Sequence, residues 1–265
     1  MSPNTLGEDA VILNKLLPQY NIGRDVYGPS YAYIRSVNAA GFLPVAAAGG
    51  VKGFTVHSYP YGGHDCVIDN YLNKSKVTAD LYHNLASVTA LAKGIPGADK
   101  MLYVLEETAG SSGGGCDNVT NRFVAGFCWI NTLMTVGRAG FDRVHRQDIA
   151  GWSFAFGKSN YELVGPPGWT NGSPELLTPH PDYFTTLLWR QLVGTRVLST
   201  SVSGSADLLE TVEVNFWCSA KGTSPYGTGS VVLVFANLNV HNAVELTIPE
   251  NLAASPSTRY ILTGT

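Results

Sequence analysis

Up to residue 194, short apolar runs alternate about four times with longer stretches whose apolar residues recur every three or four positions. Short apolar runs suit strands buried on both faces, and the longer periodicity suits helices lying on a sheet. Strands separated by helices imply βα units and a parallel sheet. The strand-like runs are 25–30, which ends at Gly28-Pro29-Ser30, then 53–61, 101–105 and 141–149. Helical spacing is found over 7–17, 31–38, 74–93, 121–137 and 183–193. In the third of these, Val77, Leu81, Leu85, Val88 and Leu91 share one face. Four units make half of an eightfold barrel, which takes ~250 residues on its own. The expected organisation is therefore α/β: residues 1–194 as a partial (β/α) barrel, about units 5 to 8, corresponding to the C-terminal half of a (β/α)8 TIM barrel.

After Gly194 the texture changes. The runs 196–203, 210–218, 229–237, 243–248 and 259–262 are short and β-like, split by Gly, Ser, Asn and Pro. Several alternate apolar with polar, so 195–265 is expected to be a partial antiparallel β-sandwich. The 151–181 stretch is rich in Gly and Pro and shows no clear element. Long loops of this kind in a compact domain usually serve function.

Composition narrows the partners. Hydrophobic residues at 45% against 14% charged favour a packed globular chain, and a net charge of -3 offers no basic face for nucleic acid. No apolar run approaches the ~20 residues of a membrane span. Cys66, Cys116, Cys128 and Cys218 form no Cys-X-X-Cys pair, and no His stands at zinc-ligand spacing from them, so neither a metal nor another cofactor is expected. Buried thiols or one or two disulfides are the alternatives for them. Sequons at Asn73, Asn118 and Asn171 point towards a secreted or lysosomal glycoprotein.

The chemistry concentrates in 101–116. Five mostly apolar residues run into Glu106 and Glu107, and a Ser/Gly loop follows. In a parallel barrel a strand's C-terminal end is the catalytic rim. A retaining glycosidase needs a rigid carboxylate nucleophile with a second carboxylic acid roughly 5 to 5.5 Å away. Glu107 is the leading candidate. Adjacent strand residues point to opposite faces, so at most one of the two glutamates should face the site, leaving the other to a basic partner or water. Gly113, Gly114 and Gly115 expose bare backbone N–H groups that can hold a carboxylate or phosphate. No Gly-Lys-Ser/Thr follows them, which argues against a nucleotide loop. His57, Tyr59 and Tyr61 alternate at the end of the preceding strand, on one face by period two. Arg146 is expected to pair internally with a glutamate. It and Gln147 end the fourth strand and could instead hydrogen-bond a polar substrate, while Tyr161 lies in the long loop, where Asn160 favours a turn. A serine hydrolase finds no Gly-X-Ser-X-Gly elbow here.

These residues, in order, resemble a family, the heparanase-like β-glucuronidases of glycoside hydrolase family 79. The matching pieces are Leu6-Gly-Glu-Asp with Lys15-Leu-Leu, Tyr27-Gly-Pro, Thr55-Val-His-Ser-Tyr, Glu107-Thr before Gly113-Gly-Gly, Ala125-Gly-Phe-Cys-Trp, Arg146-Gln, Asn160-Tyr-Glu-Leu-Val, Pro181-Asp-Tyr-Phe, and Leu192-Val-Gly-Thr-Arg-Val-Leu. They are collinear and cover most of the chain. The resemblance implies that Glu107 is the nucleophile, that Tyr59 hydrogen-bonds it, and that Gly113 and Gly114 bind a glucuronate carboxylate. It places Gln147 and Tyr161 in the sugar pocket and His57 near the substrate. The implied reaction is retaining hydrolysis of glucuronic-acid-containing polysaccharides or glycoconjugates, by a secreted or lysosomal, membrane-associated protein.

Departures from the pattern carry their own expectations. The family's acid/base glutamate lies in an Asn-Glu-Pro motif upstream of the Leu-Gly-Glu-Asp helix, and this sequence contains no Asn-Glu-Pro. The chain is expected to be a piece lacking the N-terminal half-barrel, inactive alone, its partner being the missing part of the same protein or another subunit. A non-catalytic glycan-binding or pseudoenzyme form is the alternative. The resemblance would pair Cys218 with a cysteine beyond Thr265. Where animal heparanases carry a basic cluster this chain has Ser30-Tyr-Ala-Tyr-Ile, and His64 stands in place of an arginine, so strong binding to sulfated heparan is not expected and a less charged glucuronide suits it at least as well.

Overall fold

The computed structural model describes residues 2–23, 25–33, 35–150, 161–165, 178–220 and 229–264. Asn160, Asn171, most of the 151–181 stretch and the side chain of His64 lie outside the described residues. Helix α1 (Pro3–Leu16) is started by Ser2, whose hydroxyl accepts from the Thr5 amide at 3.2 Å, with Pro3 in the first turn. Then follow β1 (Tyr27–Tyr31), α2 (Ser36–Ala48), β2 (Gly53–His57), the short α3 (Ile68–Leu72), a π-helical turn over Lys76–Leu81 that runs into α4 (Tyr82–Ala92), β3 (Leu102–Thr108), α5 (Phe123–Arg138), β4 (Arg143–Arg146) and α6 (Pro181–Leu192). Two-residue strands β5 (Val164–Gly165) and β6 (Thr178–Pro179) pair antiparallel just before α6.

Strands β1 to β4 form one parallel sheet in sequential order. Sequential order with a helix after each strand is barrel topology; a doubly wound sheet would reverse its strand order at a switch point. The four βα units are half of an eightfold barrel, as the alternating pattern predicts. Leu85 and Val88 of α4 and Leu105 of β3 have no exposed surface, and Val77 and Leu81 join the same core. An aromatic ladder crosses beneath the sheet, from Phe42 through Phe54 and Tyr103 to Phe141, at centroid spacings of 5.9, 6.1 and 5.8 Å. No helix among the described residues is long and apolar enough to cross a membrane.

The second sheet is antiparallel: β7 (Val193–Val197), β8 (Val212–Ser219) and β9 (Val231–Asn237), with the one-turn helix α7 (Ala206–Thr211) entering β8. It packs on the barrel helices. Trp217 meets Trp189 of α6 edge to face at 5.0 Å, Asn215 donates to the Met134 sulfur of α5 at 3.3 Å, and the Lys74 ammonium donates to the Val212 carbonyl at 2.7 Å.

Several local expectations differ from the structure. The helix expected over 31–38 starts five residues later, because Tyr31 is still strand, paired with Val56. Ala39, Phe42, Leu43 and Ala46 of α2 are wholly buried at helical spacing, a pattern that Gly41 and Pro44 obscure in the sequence. Run 210–218 begins as helix, since Ser205 caps α7 by accepting from the Leu208 amide. Runs 243–248 and 259–262 are not strands. Val244, Leu246 and Ile248 do turn inward alternately, but no neighbouring strand among the described residues offers them a ladder.

The contact between the two sheets' layers is tight at one glycine. A Cβ at Gly137 of α5 would stand 2.3 Å from Trp217, which is 3% exposed and wedged on Trp189. Replacing a helical glycine gains roughly 1 kcal/mol in propensity, whereas overpacking a filled core costs about 1–3 kcal/mol. Net of the two, Gly137→Ala is expected to lower the urea unfolding free energy by up to about 2 kcal/mol. Gly23→Ala, which has nothing within 4 Å of its Cβ position, should leave it within ~0.5 kcal/mol.

Candidate active site

The site forms where β2, β3 and β4 end. Val56 faces Leu105 in the β2–β3 ladder, but the next pair is His57 with Glu107, so Glu106 is an extra residue on β3. The β3–β4 ladder skips in the same place, between Leu105 and Thr108. Such a bulge breaks the alternation of faces and re-aims side chains. It overturns the expectation that only one glutamate faces the site. Glu107 Oε2 lies 3.6 Å from His57 Nδ1, and Glu106 Oε2 lies 3.8 Å from His57 Nε2. These distances are electrostatic contacts, longer than hydrogen bonds. The imidazole's short contact is to Ser30, whose Oγ is 2.9 Å from Nε2. Glu106 Oε2 is itself buried with no hydrogen-bond partner among the described residues.

The opposite side of Glu107 is held by Tyr59. Its hydroxyl contacts Glu107 Oε1 and the side-chain amide of Gln147 at once. A phenol has one proton. The group is satisfied when Tyr59 donates to Glu107 and the Gln147 amide turns its NH2 to the phenol oxygen. Burial, then the bond to Glu107 and its negative charge, push the Tyr59 hydroxyl well above its ordinary pKa, against the pull of Arg146. The phenol therefore stays protonated, a permanent donor to the carboxylate. Gln147 is fixed in turn by its backbone amide, which donates to the Thr108 carbonyl at 3.0 Å.

Arg146, one residue earlier on β4, serves the structure. It pairs at 2.5 Å with Asp182 at the start of α6, donates to the Tyr161 carbonyl, and lies 4.9 Å over the Trp129 ring. The expected glutamate partner is thus an aspartate. The pair is almost fully buried, at 5% and 0% exposure. Burial pushes the Asp182 carboxyl upward and the guanidinium opposes it. Tyr161 is brought close to the site by this contact: burial, with the charges of Asp148 and Glu107, raises its hydroxyl.

Tyr61 does not join His57 and Tyr59, because β2 stops at His57 and period two ends with it. Tyr61 is buried, stacked 5.3 Å from Tyr71, and makes an isolated parallel bridge with Ser111. That bridge lays the loop carrying Gly113, Gly114 and Gly115 beside the loop carrying Tyr59. All three glycines have positive φ, at 71°, 92° and 71°. A Cβ at Gly113 would meet nothing within 4 Å and the residue is exposed, so a ligand can approach its backbone.

The structure thus gathers His57, Tyr59, Glu107 and Gln147 in direct contact, sets Tyr161 within electrostatic reach, and hangs Gly113 and Gly114 from the same strand. Sequence reasoning missed Ser30 and Asp148. Ser30 has φ of 60° and its amide donates to Thr55 at 2.9 Å; a serine after Gly28-Pro29 was the available signal. Asp148 follows Gln147, and burial raises its carboxyl against the pull of its own backbone amide and Arg146.

Sequentially ordered parallel strands with carboxylates and a phenol at their C-terminal rim define half of a (β/α) barrel with a polar site at its rim. Solved structures carry the same fold at low identity. A GH51 arabinofuranosidase from Xanthomonas axonopodis pv. citri superposes with a TM-score of 0.56 at 10% identity, over 80% of this chain and 43% of that one. A 4-O-alpha-L-rhamnosyl-beta-D-glucuronidase from Fusarium oxysporum gives 0.55 at 13%, over 92% and 47%. In sequence the chain is heparanase-like. It is 30% identical to the heparanase of Mus musculus over 261 residues, 97% of this chain and 45% of that protein. It is 26% identical to the inactive heparanase-2 of Homo sapiens, over 88% of this chain and 38% of that protein. The chain spans less than half the length of these relatives. No protein-family model matches it.

Breaking a buried ion pair by removing one partner leaves a buried charge and costs about 3–5 kcal/mol. Arg146→Met should therefore destabilise the chain by that order in urea titrations, whereas Arg143→Met, at an exposed position of the same strand, should stay within ~0.5 kcal/mol.

Proposed function

We propose that this chain carries the nucleophile side of a retaining β-glucuronidase acting on glucuronic-acid-containing glycans, with Glu107 as nucleophile. The observation that carries the reading is the junction at the strand ends, where Tyr59 joins Glu107 to Gln147 while His57 approaches the other carboxylate oxygen. One oxygen is held by a neutral donor, which fixes the carboxylate without neutralising it. In the first step Glu107 attacks the anomeric carbon, the glycosidic C–O bond breaks, and the leaving oxygen takes a proton from a carboxylic acid; in the second, water displaces Glu107 with net retention. Gly113 and Gly114 amides would receive the sugar carboxylate, and Gln147 and Tyr161 its hydroxyls.

The proton donor is not supplied by an Asn-Glu-Pro in these 265 residues. On this reading it comes from the N-terminal part of the same protein or from another subunit. General acid–base help is worth about 10²–10⁴-fold, so the chain alone should act only on substrates with excellent leaving groups. The charges at the rim favour a lightly charged glycan. Glu106, Glu107 and Asp148 lie there, Arg146 is already paired with Asp182, and the stretch after Gly28-Pro29 is uncharged up to Arg35. A secreted or lysosomal site is supported by the Cys66–Cys116 disulfide, a bond of oxidising compartments.

A second reading is a glycan-binding protein without turnover, with which the similarity to the inactive heparanase-2 of Homo sapiens is compatible. A glucuronide inactivator with an activated leaving group separates the two in the longer protein that supplies the remaining barrel. Mass spectrometry should find one sugar on Glu107, none on Glu107→Gln, and labelling about 10- to 100-fold slower in Tyr59→Phe, since a hydrogen bond to a charged group is worth about 1.5–3 kcal/mol. Labelling that survives Glu107→Gln removes the assignment; saturable glycan binding without labelling supports the second reading.

A further inference from the structure

The glycine run is pinned at both ends to one segment, residues 59–66, which also carries the phenol on Glu107. Upstream, the Ser112 amide donates to the Tyr61 carbonyl at 2.9 Å, and the Ser111 hydroxyl sits 2.7 Å from the Tyr71 hydroxyl. Downstream, Cys116 is bonded to Cys66 across a separation of 50 residues, with Cα atoms 6.1 Å apart. Between these pins lie only Gly113, Gly114 and Gly115. None of their amides donates to an acceptor among the described residues. Three glycines at positive φ are the most freely moving backbone a chain can have, and successive bare amides in a turn make an anion-binding concavity only when held in register.

The Cys116 amide also donates to Thr120 at 3.0 Å, but Thr120 belongs to the same loop and cannot fix it against the nucleophile's support. Among the described residues the disulfide is the downstream tie between that loop and the Tyr59 segment. We propose that Cys66–Cys116 is a positioning clamp that holds the Gly113, Gly114 and Gly115 amides as a carboxylate cradle at a fixed offset from Glu107, and thereby sets the preference of the site for acidic over neutral sugars. This rests on the glucuronate reading given above.

The bond can be opened selectively. Cys128 and Cys218 are free, and burial pushes the Cys128 thiol up to about 12, so a mild phosphine reductant has this one disulfide to act on among the described residues. Backbone 15N relaxation of the oxidised chain should give rigid order parameters of ~0.85 at Gly113, Gly114 and Gly115, falling below ~0.6 on reduction or in Cys66→Ser/Cys116→Ser, with α5 signals unmoved. Chemical-shift titration with a glucuronic-acid-terminated disaccharide and its glucose counterpart should show the acidic sugar losing about tenfold in affinity and the neutral one unchanged, since ordering one loop residue on binding is worth about that factor. If the cysteine variant does not fold, a chain with one glycine inserted between Gly115 and Cys116 keeps the disulfide, slackens the span, and should show the same selective loss. Unchanged order parameters after reduction, or equal losses for both sugars, overturn the clamp. An oxidised chain indifferent to the sugar carboxylate overturns the glucuronate reading itself, whatever the loop does.

Discussion

One extra residue in one strand organises the rim. Up to Leu105, β3 runs in register with both neighbours and its side chains alternate as a buried parallel strand requires. At Glu106 the register slips against β2 and β4 together. Without the slip, Glu106 and Glu107 would point to opposite faces and His57 could meet one of them. With it, the imidazole stands between two carboxylates, and Glu107 is turned so that its other oxygen reaches Tyr59. Strand β1 enters through Ser30, near its end, which gives the ring its hydrogen bond. Each of the four strands therefore contributes at its C-terminal end, and the arrangement depends on a bulge that no single side chain encodes.

The electrostatics follow from what is already paired. Arg146 is close enough to the rim for its charge to act on Tyr59 and Tyr161, yet its guanidinium is held by Asp182 and shielded over Trp129. A planar, fully desolvated fork suits that structural role, and a lysine would not fill it. Glu106, Glu107 and Asp148 remain against one imidazole. A rim of that sign repels anions at long range, so an acidic ligand must be held by short, directional contacts. Backbone amides serve this well because they bring partial positive charge without a counter-charge or a flexible stem. On the glucuronidase reading, the bare glycine amides and the acidic rim belong to one physical problem: admitting a sugar carboxylate beside the carboxylate of Glu107.

Much of this was legible in the residues, for reasons that also mark where legibility stops. The π-turn and α4, α5 and the Met101 run declare themselves because buried faces impose periodicity. Helix α2 hid behind Gly41 and Pro44, although its wholly buried positions keep the spacing. Tyr61 was misplaced because period two was extended beyond the last strand residue. The bulge was invisible: it is a relation between three strands, and sequence reasoning treats each alone. Val244, Leu246 and Ile248 show the converse, since their alternation is real but a ladder needs a partner. The partner of Arg146 is Asp182 rather than a glutamate, 36 residues on, a distance at which local pattern says nothing.

The same sheet that presents Glu107 leaves β1 and β4 as outer strands, each with a neighbour on one side only among the described residues. In a closed barrel every strand has two, and the rim is a ring. On the glucuronidase reading this asymmetry has a chemical meaning. The nucleophile and the acid of a retaining pair must stand roughly 5 to 5.5 Å apart across the scissile bond, and a carboxylate set on an inner strand of a half-ring faces towards the open side. His57, Tyr59 and Gln147 crowd Glu107 from β2 and β4, its own flanks, so the remaining approach is across the ring. Closing the barrel would then complete the core and the catalytic pair in one event, and stability and activity would rise together rather than trade against each other.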